Sequence, residues 1–352
     1  MTHAAATGRT TLEKFLVEER RRAPEASGGL GLLVVDLAAA VREISNLLAR
    51  GGPDGGSAKR PKPGALANDL LVRACERGGR VAALASGELD APHRFVGHAP
   101  LGKHLLVCDP LEGASSLDAN FTAGTIFSVL ELPAGAGAAG VEAFLQPGAR
   151  QVCAGFASYG PSTVLVLTTG RGVHGFTLDP WSGELFLTHP AMRIPEEGRA
   201  LAVAGSQERS WDPPVRRYVE ECAAGRGGPR GADFDTRWSG SLVAEAHRVL
   251  LRGGALLCPR ETGDPGPGGG LALLHEAAPL ALLLEQAGGA ASTGRKRLLD
   301  VVPASLREQS PAFLGSRREV ERLASYHAAH DEGLDLPYTN PLFNVRSLLR
   351  ES

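Results

Sequence analysis

Between residues 81 and 190 the chain sets seven short apolar segments one after another: VAALAS, HLLVCD, TIFSVLEL, QVCAGFASYG, STVLVLTT, HGFTLD and ELFLTH. Many carry β-branched residues and all are bounded by turn residues, so the run predicts strands that pair into one sheet. Helical patterns precede it. TLEKFLVEERRR (11–22) has apolar positions 12, 15 and 16 behind a Thr10 or Thr11 cap, and LGLLVVDLAAAVREISNLLAR (30–50) has a broad apolar face. NDLLVRACERG (68–78) predicts a third helix with Asn68 as its N-cap. Together these predict a sheet with helices on one face. After MRIPEEG the pattern alternates strand and helix through LAVAGS, SLVAEAHRVLLRGGALLCP, LALLHEAAPLALLLEQAGG and REVERLASYHAAH. The fold class is therefore read as α/β in two layered halves, with a boundary near residues 190–198.

A length of 352 residues suits about two domains of ~150 residues each. The formal net charge of −2 excludes a strong electrostatic commitment to nucleic acid or to an anionic membrane. No apolar run reaches the ~20 residues of a bilayer span, and MTHAAATGRTTLEKF lacks the apolar core of a secretory signal. Cys75, Cys108, Cys153, Cys222 and Cys258 show no C-x-x-C spacing, which argues for a reducing compartment. A cytoplasmic protein with small-molecule partners is expected. GGPDGGSAKRPKPGA (51–65) and GDPGPGGG (263–270) read as loops, PAGAGAAG (133–140) as a hairpin-like connection, and 332–352 as a tail.

CDPLEGASSLD (Cys108–Asp118) carries the chemistry. It ends an apolar strand in two carboxylates, Asp109 and Glu112, with the Leu111 carbonyl between them. Oxygen donors in such a group suit Mg²⁺, which keeps open positions for phosphate. Gly113–Ser116 can open a short helix whose free N–H groups face an anion. A solvated strand-to-helix turn with an Asp–Ser cap is the competing reading of D-x-x-E taken alone.

DPLEGASSLDANFTAGTIF resembles the D-P-L-D-G-S-S-N-x-D…G-T-I-F motif of class I fructose-1,6-bisphosphatases, within the magnesium-dependent, lithium-sensitive sugar phosphatases. The similarity continues through TLEKFLVEE, ASGE (85–88), RWSGSLVAEAHRVLLRGGALLCP, LALLHEAAPLALLLEQAGGAASTG and LLDVVPASLREQSPAFLGS, roughly residues 10–331. It implies a two-domain sugar-phosphatase fold with domains at 10–194 and 195–331, and Mg²⁺-dependent hydrolysis of fructose 1,6-bisphosphate, with Mn²⁺ as an alternative ion. It places Glu88, Asp109, the Leu111 carbonyl, Glu112 and Glu276 at metal positions, Glu88 and Asp109 having catalytic parts. Gly113, Ala114 and Ser115 fall on the phosphate cradle. Gln207, Arg237 and Trp238 fall on the distal end of the sugar phosphate, where Arg237 would reach across a subunit interface of a homotetramer.

Several positions depart from that pattern. Glu112 stands for an Asp, Gly87 for the first Glu of a pair, and Gly64 for a loop Asp; Asp54 and Asp90 are conceivable stand-ins, though each reads better as a plain surface acid. Ser210, Cys258, Gly270 and Ala272 replace further substrate-side groups. A hydrolase and a non-catalytic or repurposed paralogue both remain open from sequence, and phosphate release separates them.

Overall fold

A computed structural model describes residues 10–22, 28–51, 62–95, 102–134, 139–260 and 269–334. Asp54, most of the 51–65 and 263–270 loops, and the tail beyond residue 334 lie outside the described residues. All seven predicted strands form, as β1 (Val81–Ser86), β3 (His104–Glu112), β4 (Ala123–Glu131), β5 (Gln151–Tyr159), β6 (Thr163–Thr168), β7 (Val173–Leu178) and β8 (Leu185–Met192). With the two-residue β2 (His93–Arg94) they make an eight-stranded sheet in the order β2-β1-β3-β4-β5-β6-β7-β8. Only β1 and β3 run parallel within it.

The helices before the sheet are α1 (Leu12–Arg22), α2 (Gly28–Ala49) and α3 (Pro63–Gly78). Thr11 caps α1, its Oγ1 accepting the Lys14 N–H at 3.3 Å. Helix α3 corrects the sequence reading: it starts five residues before Asn68, which is buried inside it rather than capping it. Pro63 in the first turn has its φ already set for a helix and no N–H to leave unpaired. Gly79 closes the other end at φ 63°, donating to the Cys75 carbonyl. The 133–140 stretch, of which 135–138 lie outside the described residues, falls between the antiparallel neighbours β4 and β5, as a hairpin-like connection does, and a short helix, α4 (Val141–Phe144), follows it.

The C-terminal half contributes β9 (Ala200–Val203), β10 (Asp235–Arg237), β11 (Gly254–Cys258), β12 (Leu271–Ala272), β13 (Ala290–Ser292), β14 (Gln309–Ser310) and β15 (Ala312–Gly315). Five of them form a second sheet in the order β10-β9-β11-β15-β13, while β12 and β14 pair as a ribbon. Its helices are α5 (Pro213–Ala223), α6 (Leu242–Arg252), α7 (Ala278–Gln286) and α8 (Arg317–Asp331).

The period-two alternation of side chains sorts these elements into layers. Phe127, Val129, Leu165 and Leu167 leave one face of the large sheet and pack with Leu33, Leu37 and Leu71 of α2 and α3. Their neighbours Ile126, Val164 and Val166 leave the other face and meet Val243, Ala246, Leu280 and Leu283 of α6 and α7. The same helices touch Ala202 and Leu256 of the second sheet, whose far face carries Leu201, Ala255 and Leu257 against Val215, Tyr218 and Leu323 of α5 and α8. The large sheet is thus covered on both faces, not one, because the second half supplies the missing helical layer. Gly124 of β4 permits this close approach: a Cβ there would lie 2.3 Å from a Val243 methyl and 2.7 Å from the Ala157 carbonyl oxygen. Among the described residues no helix is long and apolar enough to cross a membrane.

Candidate functional site

The site starts from an irregularity in β3. Asp109 pairs opposite Ile126 of β4 and Glu112 opposite Gly124, so three steps along β3 answer two along β4. Pro110 lies within that stretch and has no N–H to give a ladder, and the extra residue makes a bulge. Residues three apart on a regular strand face opposite ways; the bulge resets the alternation and turns both acids to the same side. Cys108 and Leu111 accordingly pack in the α2–α3 layer. Asp109 and Glu112 face the C-terminal half instead.

There Glu112 meets the start of α6. Its Oε1 accepts the Leu242 N–H at 2.9 Å, and its Oε2 accepts the Val243 N–H at 3.4 Å and the Ser241 hydroxyl at 3.2 Å. Ser241 is also the N-cap, accepting from the Ala244 N–H. Glu276 arrives from a π-helical turn, Leu273–Ala277, which leads into α7; its Oε2 accepts the Ala272 N–H at 2.8 Å. The Leu111 N–H donates to Asp109 Oδ1 at 3.1 Å. Glu88 comes from the turn after β1, and the parallel register Ser86–Cys108 brings it to the same sheet edge as Asp109.

Among the described residues the electrostatics are those of acids near one another without a counter-charge. Burial, with the charge of Glu88, raises Asp109 to about 6. Burial, then the charge of Asp109, pushes Glu112 up to about 7. Glu276 rises to about 7 through burial and the charges of Asp109 and Glu112. No arginine or lysine among the described residues lowers any of the three. Among the described residues no three acidic, histidine or cysteine side chains converge closely enough to ligate one ion as they stand, since each of these carboxylates is turned to a backbone N–H. Their hard oxygen donors and unbalanced negative charge nevertheless fit a divalent cation.

Beside the acids, Gly113 takes φ 75° and leads into a 3₁₀ turn, Ala114–Ser116. The first N–H groups of such a turn have no partner within it. A Cβ on Gly113 would lie 3.9 Å from the Gly240 carbonyl oxygen, so the cradle and the start of α6 adjoin. Arg237 and Trp238 are both exposed, on and just after edge strand β10, and Arg237 Nε donates to Asp235 at 2.9 Å rather than to an acid of the cluster. Gln207 lies on the turn Gly205–Ser210. Asp90 is not a stand-in for a loop acid: its side chain points to solvent and pairs with Arg307 at 2.7 Å.

The sequence reading missed the residues that seat these groups. Ser241, the α6 amides and Glu245, which accepts the Ser239 N–H at 2.8 Å, had one visible signal, the S-G-S before a helical pattern. The profile described as "Fructose-1-6-bisphosphatase, N-terminal domain" matches residues 10–190, and "Fructose-1-6-bisphosphatase, C-terminal domain" matches 194–328. The chain is 47% identical over 355 residues to a "Fructose-1,6-bisphosphatase class 1 3" of Methylibium petroleiphilum, covering 98% of this chain and 99% of that one. It is 46% identical to a class 1 fructose-1,6-bisphosphatase of Hydrogenophilus thermoluteolus over 97% of each. The holo crystal structure of Leishmania major fructose-1,6-bisphosphatase superimposes with a TM-score of 0.82 at 32% identity, over 90% of this chain and 98% of that one. The chain belongs to the class 1 fructose-1,6-bisphosphatase family.

Proposed function

We propose that this chain hydrolyses fructose 1,6-bisphosphate to fructose 6-phosphate and phosphate, with Mg²⁺ as its preferred ion and Mn²⁺ as a substitute. The observation that carries the reading is that Asp109, Glu112 and Glu276, half-buried and drawn from both halves of the chain, lie near enough for the charge of Asp109 to disfavour that of the other two, with no basic side chain among the described residues to offset it. Family membership at 47% identity over nearly the whole chain supports the substrate. In this reading Glu88, Asp109, the Leu111 carbonyl, Glu112 and Glu276 hold the metal. When bound, a divalent cation supplies charge stabilisation to the phosphoryl oxygens and to the leaving alkoxide. The Gly113, Ala114 and Ser115 amides orient the reacting phosphate. Asp109 and Glu88 are the acids available to hold the proton of an attacking water. Gln207, Arg237 and Trp238 bind the distal phosphate end, Arg237 from a neighbouring subunit of a homotetramer. Two domains, 10–194 and 195–331, and a cytoplasmic setting complete the proposal.

The test is phosphate release from a panel of sugar phosphates with and without Mg²⁺. Magnesium-dependent release from fructose 1,6-bisphosphate supports the reading; no release from any member overturns it.

The raised carboxyls make a second prediction. Asp109, Glu112 and Glu276 bind protons more tightly folded than unfolded, so their contribution to stability falls as pH rises from about 4 through about 7. Metal-free protein should therefore lose thermal stability from this site between pH 5 and pH 8. Mg²⁺ should raise Tm more at pH 8, where the acids are ionised, than at pH 5. Differential scanning calorimetry at both pH values, with EDTA or Mg²⁺, checks it.

A further inference from the structure

Gly64 occupies the first turn of α3, immediately after Pro63, and is buried. Its backbone does not require glycine: it is absent from the glycines with positive φ, and alanine is the better helix former. What glycine leaves there is space. The three atoms nearest to where a Cβ would stand all belong to one group, the Glu88 carboxyl, with Oε1 at 2.3 Å, Cδ at 3.0 Å and Oε2 at 3.6 Å. Gly31 makes the contrast, since a Cβ at that helical position would meet nothing within 4 Å.

We infer that Gly64 is a positioning residue whose missing side chain seats the Glu88 carboxylate under the first turn of α3, beside Asp109. This rests on the reading proposed above and deepens it. Two further contacts fix the turn that delivers Glu88. The Gly87 N–H donates to the Cys108 carbonyl at 3.0 Å, tying the turn to the strand that carries Asp109. The Glu88 N–H donates to Ser86 Oγ at 3.2 Å. With its backbone anchored, Glu88 has only its own side-chain torsions to choose where the carboxylate goes, and the α3 first turn admits it because residue 64 has no Cβ. The carboxylate also stands where the unpaired N–H groups of a helix start favour negative charge.

A methyl group at 64 displaces the end of a flexible side chain and no backbone atom, so the variant folds. Gly64→Ala should keep or raise the metal-free Tm. It should also lower kcat for fructose 1,6-bisphosphate about tenfold or more with little change in KM, and shift the Mg²⁺ concentration giving half the thermal stabilisation upward by a similar factor. The decisive measurement is the double-mutant cycle with Glu88→Gln. If Gly64 acts by seating Glu88, adding Gly64→Ala to Glu88→Gln costs little more than Glu88→Gln alone. Losses that multiply, or a Gly64→Ala chain with kcat and Mg²⁺ response within twofold of wild type, overturn the inference. A wild-type chain that releases no phosphate sinks the proposed function instead, and the substrate-free Mg²⁺ stabilisation curves then decide the role of Gly64. A wild type with neither activity nor Mg²⁺ stabilisation sinks both.

Discussion

Asp109→Asn should leave a folded protein that has lost about a thousandfold of its phosphate release from fructose 1,6-bisphosphate, together with its Mg²⁺-dependent rise in Tm. The substitution is nearly isosteric, and an asparagine Oδ1 can still accept the Leu111 N–H that Asp109 accepts at 3.1 Å. The bulge and its turn are therefore kept. What goes is one negative charge in a place where burial already disfavours it, and where the ionised forms of Glu112 and Glu276 are each disfavoured by it. Metal-free Asp109→Asn should consequently melt at or above the wild-type temperature at pH 8, the opposite of what a structural acid would do. Steady-state phosphate release and paired melting curves with EDTA or Mg²⁺ check both halves. Activity within tenfold of wild type would remove Asp109 from the site.

Much of this site was legible because its acids sit at a strand end with a proline between them. An apolar run cannot bury Asp109 and Glu112 without cause, and Pro110 cannot serve a regular ladder. The side they face was not legible, because it depends on a bulge visible only in the pairing with β4. Glu276 could be named only through resemblance: LLHEAAPL alone is an unremarkable helical segment, and its approach to Asp109 is a matter of how two distant halves stack. The large sheet was legible strand by strand, since each segment is short and bounded by turn residues. Its second helical cover was not, because α6 and α7 lie more than a hundred residues beyond most of the strands they cover. Asn68 failed as a cap for a local reason. Pro63 starts the helix earlier, and a good capping residue inside a helix looks the same in sequence as one at its start. That Asp90 is a surface acid was legible, but its partner, Arg307, 217 residues away, was not.

Arg230→Ala should have the largest effect on stability, about 3–5 kcal/mol in urea unfolding. Arg230 and Glu319 form an ion pair at 2.6 Å, with both side chains at least nine-tenths buried. The Tyr218 hydroxyl donates to the same Glu319 carboxylate at 2.6 Å, and the guanidinium lies 4.6 Å above the Phe234 ring. Removing the arginine leaves a buried carboxylate with a single neutral donor, and desolvation of that charge is what makes the loss large. The pair itself is worth far less than that. Arg230→Met combined with Glu319→Gln removes both charges while keeping an acceptor for Tyr218, and should recover most of the loss. If the double variant is as unstable as the single one, packing rather than the stranded charge sets the penalty. The tether also has a functional side. Arg230 lies on the connection that runs from α5 into β10, the edge strand carrying Arg237, and it fastens that connection to α8 through Glu319. Arg230→Ala should therefore raise KM for fructose 1,6-bisphosphate more than it lowers kcat, because the arginine assigned to the distal phosphate loses its footing while the acids around Asp109 keep theirs.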